Sequence, residues 1–410
     1  METLEDHDLP ARFLLRSGET WRDPFTAYAA LRDRDPVHHE ARGDFWVLTR
    51  FADVWGAAGD PATFSSRSGL TVQYGDVEAA GLGDAVPMVF LDPPEHTAFR
   101  RLVTGDLSPR KVMAIEPLVR SFVVDRLERL RAAGGGDIVA ELFKPLPSLV
   151  VAHYLGVPEE DRSLFDRWTE AIVQAAAGGN PTKAGDQFAE LLTYFAGLVE
   201  RRRSDPGSDI VSELVRQGEE TVSIARILGF AFTMVTGGND TVTGMLAGSA
   251  CLLTENREQR ARLLADPGLI PSAVEELLRL TSPVQNLART TTRDVALHGT
   301  TIPAGKKVLL CYAAANRDDR EFGPTAERLD VERRPSKILT FSYGTHYCVG
   351  AAAARLQARV ALEELLSRFP DFEVDVAGGR YAGGSYVRRH VSLPWFAGRR
   401  RSGATDAAVS

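Results

Sequence analysis

The 410-residue chain has only three cysteines, Cys251, Cys311 and Cys348, too few and too scattered for a disulfide framework or a paired-cysteine zinc site. Long apolar runs are also missing. The longest strongly apolar stretch, 227–235, is far short of the ~20 residues that a bilayer requires. The N-terminal METLEDHDLP is acidic and has no apolar core. A cytoplasmic protein without an anchor is expected. Charge of one sign is lacking too: 48 basic residues stand against 55 acidic ones, and the net charge of −7 argues against a general nucleic-acid binder. HExxH, GxSxG and GxGxxG do not occur. The segment from Gly299 to Lys307 has one residue too many for a phosphate loop and no hydroxyl after its lysine. Metalloprotease, serine hydrolase and dinucleotide-fold readings lose their main support.

What is present is a globular composition, 44% hydrophobic and 25% charged. No internal repeat and no long Ser/Gly/Pro-rich linker divides it, so a single domain is expected over 1–410, with a core of about 23–396 and frayed ends. Helical spacing of apolar residues predicts helices over 25–34, 51–59, 95–107, 110–131, 146–155, 182–203, 270–280 and 351–369. Strand-like runs occupy 44–49, 289–297, 307–312, 372–376 and 387–395. The expected class is mainly α with minor β. From about 221 to 254 the chain has no proline and is apolar on nearly every face, which marks a buried central helix roughly 50 Å long.

Two segments break local rules. In the middle of the central helix, Thr236-Gly237-Gly238-Asn239-Asp240-Thr241 places two glycines and several polar groups where stability alone favours alanine and leucine. The glycines permit a kink and the close approach of something flat or small, with Asp240 and Thr241 presenting a carboxylate and a hydroxyl. An equally weighted alternative has Thr241 bonding back to the Gly237 carbonyl and Asp240 pairing with a nearby arginine. The second segment, Phe341-Ser342-Tyr343-Gly344-Thr345-His346-Tyr347-Cys348-Val349-Gly350, runs into four alanines, 351–354. Amide N–H groups and the positive helix end favour a thiolate there. Gly344 and Gly350 let the backbone close around the sulfur, and the alanines leave a helix face without bulk. Cys251 and Cys311 read as packing. Glu276 and Arg279 are spaced to meet on one helix face, as an ordinary surface pair also would be. His96 and Arg100, four apart, put two donors on one face, suited to a carboxylate or to solvent.

In this order the segments resemble the cytochrome P-450 superfamily of haem-thiolate monooxygenases, over about 23–395. Phe341-x-x-Gly344-x-His346-x-Cys348-x-Gly350 is similar to its haem signature, Glu276-x-x-Arg279 to its internal salt-bridge motif, and Gly237 to Thr241 to its oxygen-binding helix. The wording of 231–241 resembles soluble actinobacterial members, including a mycobacterial branch. Ser342 departs from the glycine common at that position. The resemblance implies a cytochrome P-450 fold with haem b, in which Cys348 ligates the iron and Phe341 packs by the sulfur. It also implies that His96, Arg100, Arg289 and His346 hold the propionates. Glu276, Arg279 and Arg333 match a buried structural triad. Met88, Phe90, Thr233, Gly237, Val284, Gln285 and Tyr386 are implied pocket residues, mostly apolar, for a hydrophobic organic substrate.

The implied reaction inserts one oxygen atom of O2 into that substrate. The thiolate favours O–O cleavage, Thr241 makes the oxygen-side hydrogen bond, and Asp240 delivers protons. With no flavin or iron–sulfur motif, electrons are expected from a separate ferredoxin and its reductase, docking on basic residues such as Arg101, Arg110, Arg355 and Arg359 or meeting plain solvated helix faces there. No nucleic acid and no membrane are expected as partners. A peroxide-driven enzyme or a haem-based sensor has no need of the Asp240 and Thr241 pair. A haem-free protein is the remaining alternative.

Overall fold

The computed structural model describes residues 13–75, 77–78, 83–177 and 185–398. Helix dominates, as the apolar spacing requires. The central helix runs over Ile224–Glu255, and it starts three residues later than expected because Ser223 takes an extended conformation and accepts a hydrogen bond from the Arg226 amide. Its second half is buried almost all round, which explains the absence of a polar face. Phe25–Arg34, Phe51–Gly59, Glu95–Thr104, Pro145–Leu155, Ile270–Thr281 and Ala351–Arg368 fall close to their expected places. The helix expected over 182–203 is Gly185–Ser204, and its expected first three residues lie outside the described ones.

Several elements differ from expectation for physical reasons. The helix expected over 110–131 is two, Pro109–Met113 and Glu116–Ala132. The ring of Pro117 clashes with a carbonyl four residues earlier in any continuous helix, and it lacks an N–H to bond there. The strand expected over 289–297 is also two. Leu287–Thr291 joins a five-stranded sheet, while Val295–Leu297 pairs antiparallel with Thr300–Ile302. The run 387–395 divides in the same manner: His390–Ser392 pairs with Arg380–Tyr381, and Pro394–Phe396 joins Gly136–Asp137 and Glu373–Val374. Helices Arg162–Ala177, Ile210–Arg216 and Arg257–Ala265 were not expected.

The five-stranded sheet has the order Val37–Glu40, Phe45–Leu48, Lys307–Leu310, Leu287–Thr291, Phe64–Ser65. Only the Phe45–Leu48 pairing with Lys307–Leu310 is parallel. One large core lies among the helices and two smaller ones lie against this sheet. The helix that follows Cys348 is clamped to Glu116–Ala132 by an ionic lattice. Arg120 pairs with Glu116 at 2.6 Å and reaches across to Glu363 at 2.6 Å and Glu364 at 2.5 Å, while Arg359 pairs with Glu116 at 2.6 Å.

Among the strands at the C-terminal end, His390 is fully buried and packs against Tyr381, the rings tilted by 34° with centroids 4.2 Å apart. Burial, with Arg388 and Arg22 nearby, pushes its pKa down to about 3. The unfolded chain therefore binds this proton first, at about pH 6.5. The stability that depends on a neutral His390 is complete above that pH and is lost as pH falls towards 3. Replacing His390 with Phe, which keeps an aromatic ring against Tyr381, is expected to flatten the decline of stability with acid by up to about 1.4 kcal/mol per pH unit. Urea midpoints between about pH 7 and about pH 4 measure this.

Candidate active site

The Cys348 loop is held by its own backbone. The Cys348 amide donates to the Phe341 carbonyl at 2.9 Å and the Tyr347 amide to the Gly344 carbonyl at 3.1 Å. Gly344 has φ +69°, and a Cβ there would lie 3.1 Å from the Ala58 carbonyl oxygen, so both conformation and space call for glycine. Ser342 also occupies the left-handed region, at φ +59°. This is why glycine suits that position, and serine there carries a backbone cost of about 1–2 kcal/mol. Its hydroxyl lies 3.3 Å from the Tyr312 hydroxyl. Phe341 is buried, with the Arg355 guanidinium over its ring at 4.5 Å. Ala351 and Ala353 pack into the main core, while Ala352 lines a cavity of about 490 Å³ that Cys348 also borders.

Desolvation raises the pKa of the Cys348 thiol, and the Gly350 amide, Arg100 and Arg355 oppose it, while the residue itself is exposed at the cavity it borders. A bound metal cation deprotonates a coordinating sulfur.

His96, Arg100, Arg289 and His346 come together from helix Glu95–Thr104, strand Leu287–Thr291 and the cysteine loop. The rings of His96 and His346 lie 4.3 Å apart. His96 is 1% exposed and neither ring nitrogen has a hydrogen-bond partner among the described residues. The other ring's Nε2 meets the Ser66 hydroxyl at 3.2 Å. Burial lowers the His96 pKa to about 4, helped by Arg100, and lowers that of His346 to about 2, helped by Arg289. Both are neutral donors. Arg289 is 4% exposed and donates to the Ala288 carbonyl at 2.8 Å. Arg100 donates to the Thr345 and Tyr347 carbonyls. The carboxylate nearest His96, that of Asp92, is already engaged by the Ser65 hydroxyl and the Ser66 amide. Two guanidinium groups and two imidazoles, His96 and Arg289 buried and Arg100 and His346 half-buried, thus lie together without a carboxylate ion-paired to them among the described residues. Such a set is costly until an anion enters, and the two propionates of haem b fit this donor chemistry.

The central helix remains α-helical through its two glycines. A Cβ on Gly237 would meet nothing within 4 Å, whereas one on Gly238 would lie 2.7 Å from Val151 Cγ2 on helix Pro145–Leu155. The first glycine leaves space and the second permits helix packing. Gly237→Ala is accordingly expected to stabilise the chain by up to about 1 kcal/mol, while overpacking makes Gly238→Ala destabilising by about 1–2 kcal/mol. Urea unfolding of the two variants tests the difference in sign. The Thr241 hydroxyl donates to the Gly237 carbonyl at 2.8 Å, and Arg389 pairs with Asp240 at 2.7 Å. Arg389 carries no local sequence signal for this role.

Among the other singled-out residues, Thr233 donates to the Gly229 carbonyl at 2.8 Å and lies on the same helix face as Gly237 and Thr241. Met88 belongs to the main core and Phe90 is half-buried. Val284 bridges to Val387. Gln285 is fully buried with its amide on the Ser282 carbonyl at 2.6 Å, so it braces the end of a helix, and its backbone N–H holds the Tyr386 carbonyl at 2.8 Å. Glu276 and Arg279 form a two-pronged ion pair at 2.7 and 2.8 Å, both fully buried, and Arg333 joins at 3.2 Å. Arg279 also donates to the Asn316 and Ala326 carbonyls. Of the four basic residues near the cysteine, Arg355 is paired with Glu275 and Arg359 with Glu116 and Glu363. Arg101 and Arg110 are exposed.

The chain is similar to known proteins over most of its length. The model of the family described as Cytochrome P450 matches residues 250–376. Cytochrome P450 130 of Mycobacterium tuberculosis is 60% identical over 393 residues, covering 93% of this chain and 97% of that protein. Vitamin D(3) 25-hydroxylase of Pseudonocardia autotrophica is 36% identical over 379 residues, covering 91% of each. The structure of a Chondromyces apiculatus cytochrome P450 superposes with a TM-score of 0.83 at 31% identity, covering 92% of this chain and 96% of that one. No helix among the described residues is long and apolar enough to cross a membrane.

Proposed function

Since the chain belongs to the cytochrome P450 family of haem-thiolate monooxygenases, we propose that Cys348 is its iron ligand and that Thr241 and Asp240 handle the protons of oxygen activation. The observation that carries this reading is the quartet of buried His96 and Arg289 with half-buried Arg100 and His346, a carboxylate-binding set next to the Cys348 loop with no carboxylate ion-paired to it among the described residues. Haem b, when bound, supplies an iron centre that reduces dioxygen, with the cysteine sulfur tuning it towards O–O cleavage.

The chain's own residues do the rest. The quartet binds and orients the propionates, and the fully buried Glu276 with its two arginines fixes the segment that leads to the cysteine loop. Thr241, donating to Gly237, offers its oxygen lone pairs in this rotamer. It donates a proton only after releasing that carbonyl, and Asp240, the adjacent acid, replaces the proton from solvent. Gly237 leaves room beside both. The pocket is proposed to form along Phe90, Thr233, Gly237, Val284 and Tyr386, with Met88 behind and Gln285 acting through the Tyr386 backbone. Few free polar groups remain to direct a substrate there, in keeping with a hydrophobic organic one.

The electron donor is proposed to be a ferredoxin, with Arg101 and Arg110, exposed and next in sequence to the cavity-lining Arg100 and Pro109, offering positive charge. Thr241→Ala is expected to keep the haem spectrum while product per NAD(P)H falls by on the order of tenfold or more, the balance appearing as peroxide. Unchanged coupling contradicts the role of Thr241.

A further inference from the structure

The segment from Tyr386 to Arg389 touches three parts of the molecule at once. Arg388 faces the N-terminal region, donating to the Trp21 carbonyl at 2.7 Å and to the Tyr381 hydroxyl at 2.7 Å. Its amide donates to the Pro283 carbonyl at 2.8 Å. The backbone at Arg388 is pressed against the central helix: a Cβ on Gly244 would lie 2.6 Å from the Arg388 carbonyl oxygen and 3.2 Å from Arg389 Cβ. Gly244 thus lets the segment settle where Arg389 can reach Asp240, one helical turn earlier. Both partners are largely buried, at 9% and 19% side-chain exposure, and their contact is 2.7 Å. The other charged or titratable groups acting on Asp240 are Lys144, itself paired with Glu170 at 2.6 Å, and Tyr386.

A pair anchored on one side by a clamped backbone and on the other by a rigid helix has little freedom to drift. We propose that Arg389 is a positioning residue for proton handling, holding the Asp240 carboxylate in one rotamer so that it can accept a proton and pass it on. The inference rests on the role given to Asp240 above. Without Arg389, the buried carboxyl is left without its close counter-ion, takes up a proton and keeps it, so an Arg389→Gln protein behaves like Asp240→Asn.

The test uses the substrate-free holoenzyme driven by a surrogate ferredoxin and reductase, with peroxide per NADPH and the solvent isotope effect measured in H2O and D2O. Asp240→Asn and Arg389→Gln are expected to change both quantities by about threefold or more in the same direction, with Arg389→Lys restoring most of each. Arg388→Gln, which loosens the same segment, is expected to lower stability and leave the isotope effect unmoved. Apart from turnover, a double-mutant cycle of Asp240→Asn with Arg389→Gln in urea is expected to show coupling of about tenfold in the unfolding constant. If Asp240→Asn itself changes nothing, the role of Asp240 fails and this inference falls with it. If Asp240→Asn acts while Arg389→Gln resembles either wild type or Arg388→Gln, or if the cycle is additive, the positioning role alone is overturned.

Discussion

The Cys348→Ala protein will take up haem and turn over no substrate above background. Uptake persists because the carboxylate donors come from elements that do not depend on the sulfur. His96 sits on a helix, Arg289 on a strand, and the loop that carries His346 is held by the Cys348 amide bonding to the Phe341 carbonyl, not by the side chain. Turnover fails because a methyl group donates no charge to the iron, and charge donation from the thiolate is what favours O–O cleavage. Haem content after purification, set beside NADPH-driven oxygen consumption with a surrogate redox partner, separates the two effects. Residual turnover in this variant assigns the ligand elsewhere.

Removal of the Glu276 carboxylate is expected to have the largest effect on stability. Glu276 and Arg279 are both fully buried, and Arg333 is mostly so. Glu276→Ala leaves two guanidinium groups facing each other without their anion and strips the Asp330 amide of its acceptor. Breaking such a buried pair from one side costs about 3–5 kcal/mol, a large share of the 5–15 kcal/mol typical of a whole domain. Glu276→Gln keeps acceptor capacity and is expected to lose less. Urea unfolding and the yield of haem-loaded protein report both. A loss below about 1 kcal/mol for Glu276→Ala would show that the network contributes little.

Much of this was legible along the chain, for reasons that can be located. Ala351–Arg368 and Ile270–Thr281 follow their apolar spacing, and the central helix shows itself by being apolar all round. These are local patterns, and each residue's neighbours in sequence decide them. The strand Val37–Glu40 was missed because four residues are stabilised only by a partner strand, and Gly136–Asp137 is shorter still. The site divides in the same way. Glycines in a helix and a cysteine before a helix are visible as broken rules, but the meeting of His96, Arg289 and His346 is a property of the fold, and only the family resemblance put them together. Arg389 lies far along the chain from Asp240, so no spacing rule connects them.

The central claim is that Cys348 is a thiolate donor to haem iron, and the visible spectrum of the reduced, carbon monoxide-bound wild-type protein tests it most directly. The account predicts the strongly red-shifted Soret band that an anionic sulfur ligand produces, and its loss in the Cys348→Ala protein. A Soret band at the position given by a histidine or neutral thiol ligand in freshly purified wild type, or a red-shifted band that survives in Cys348→Ala, would contradict it.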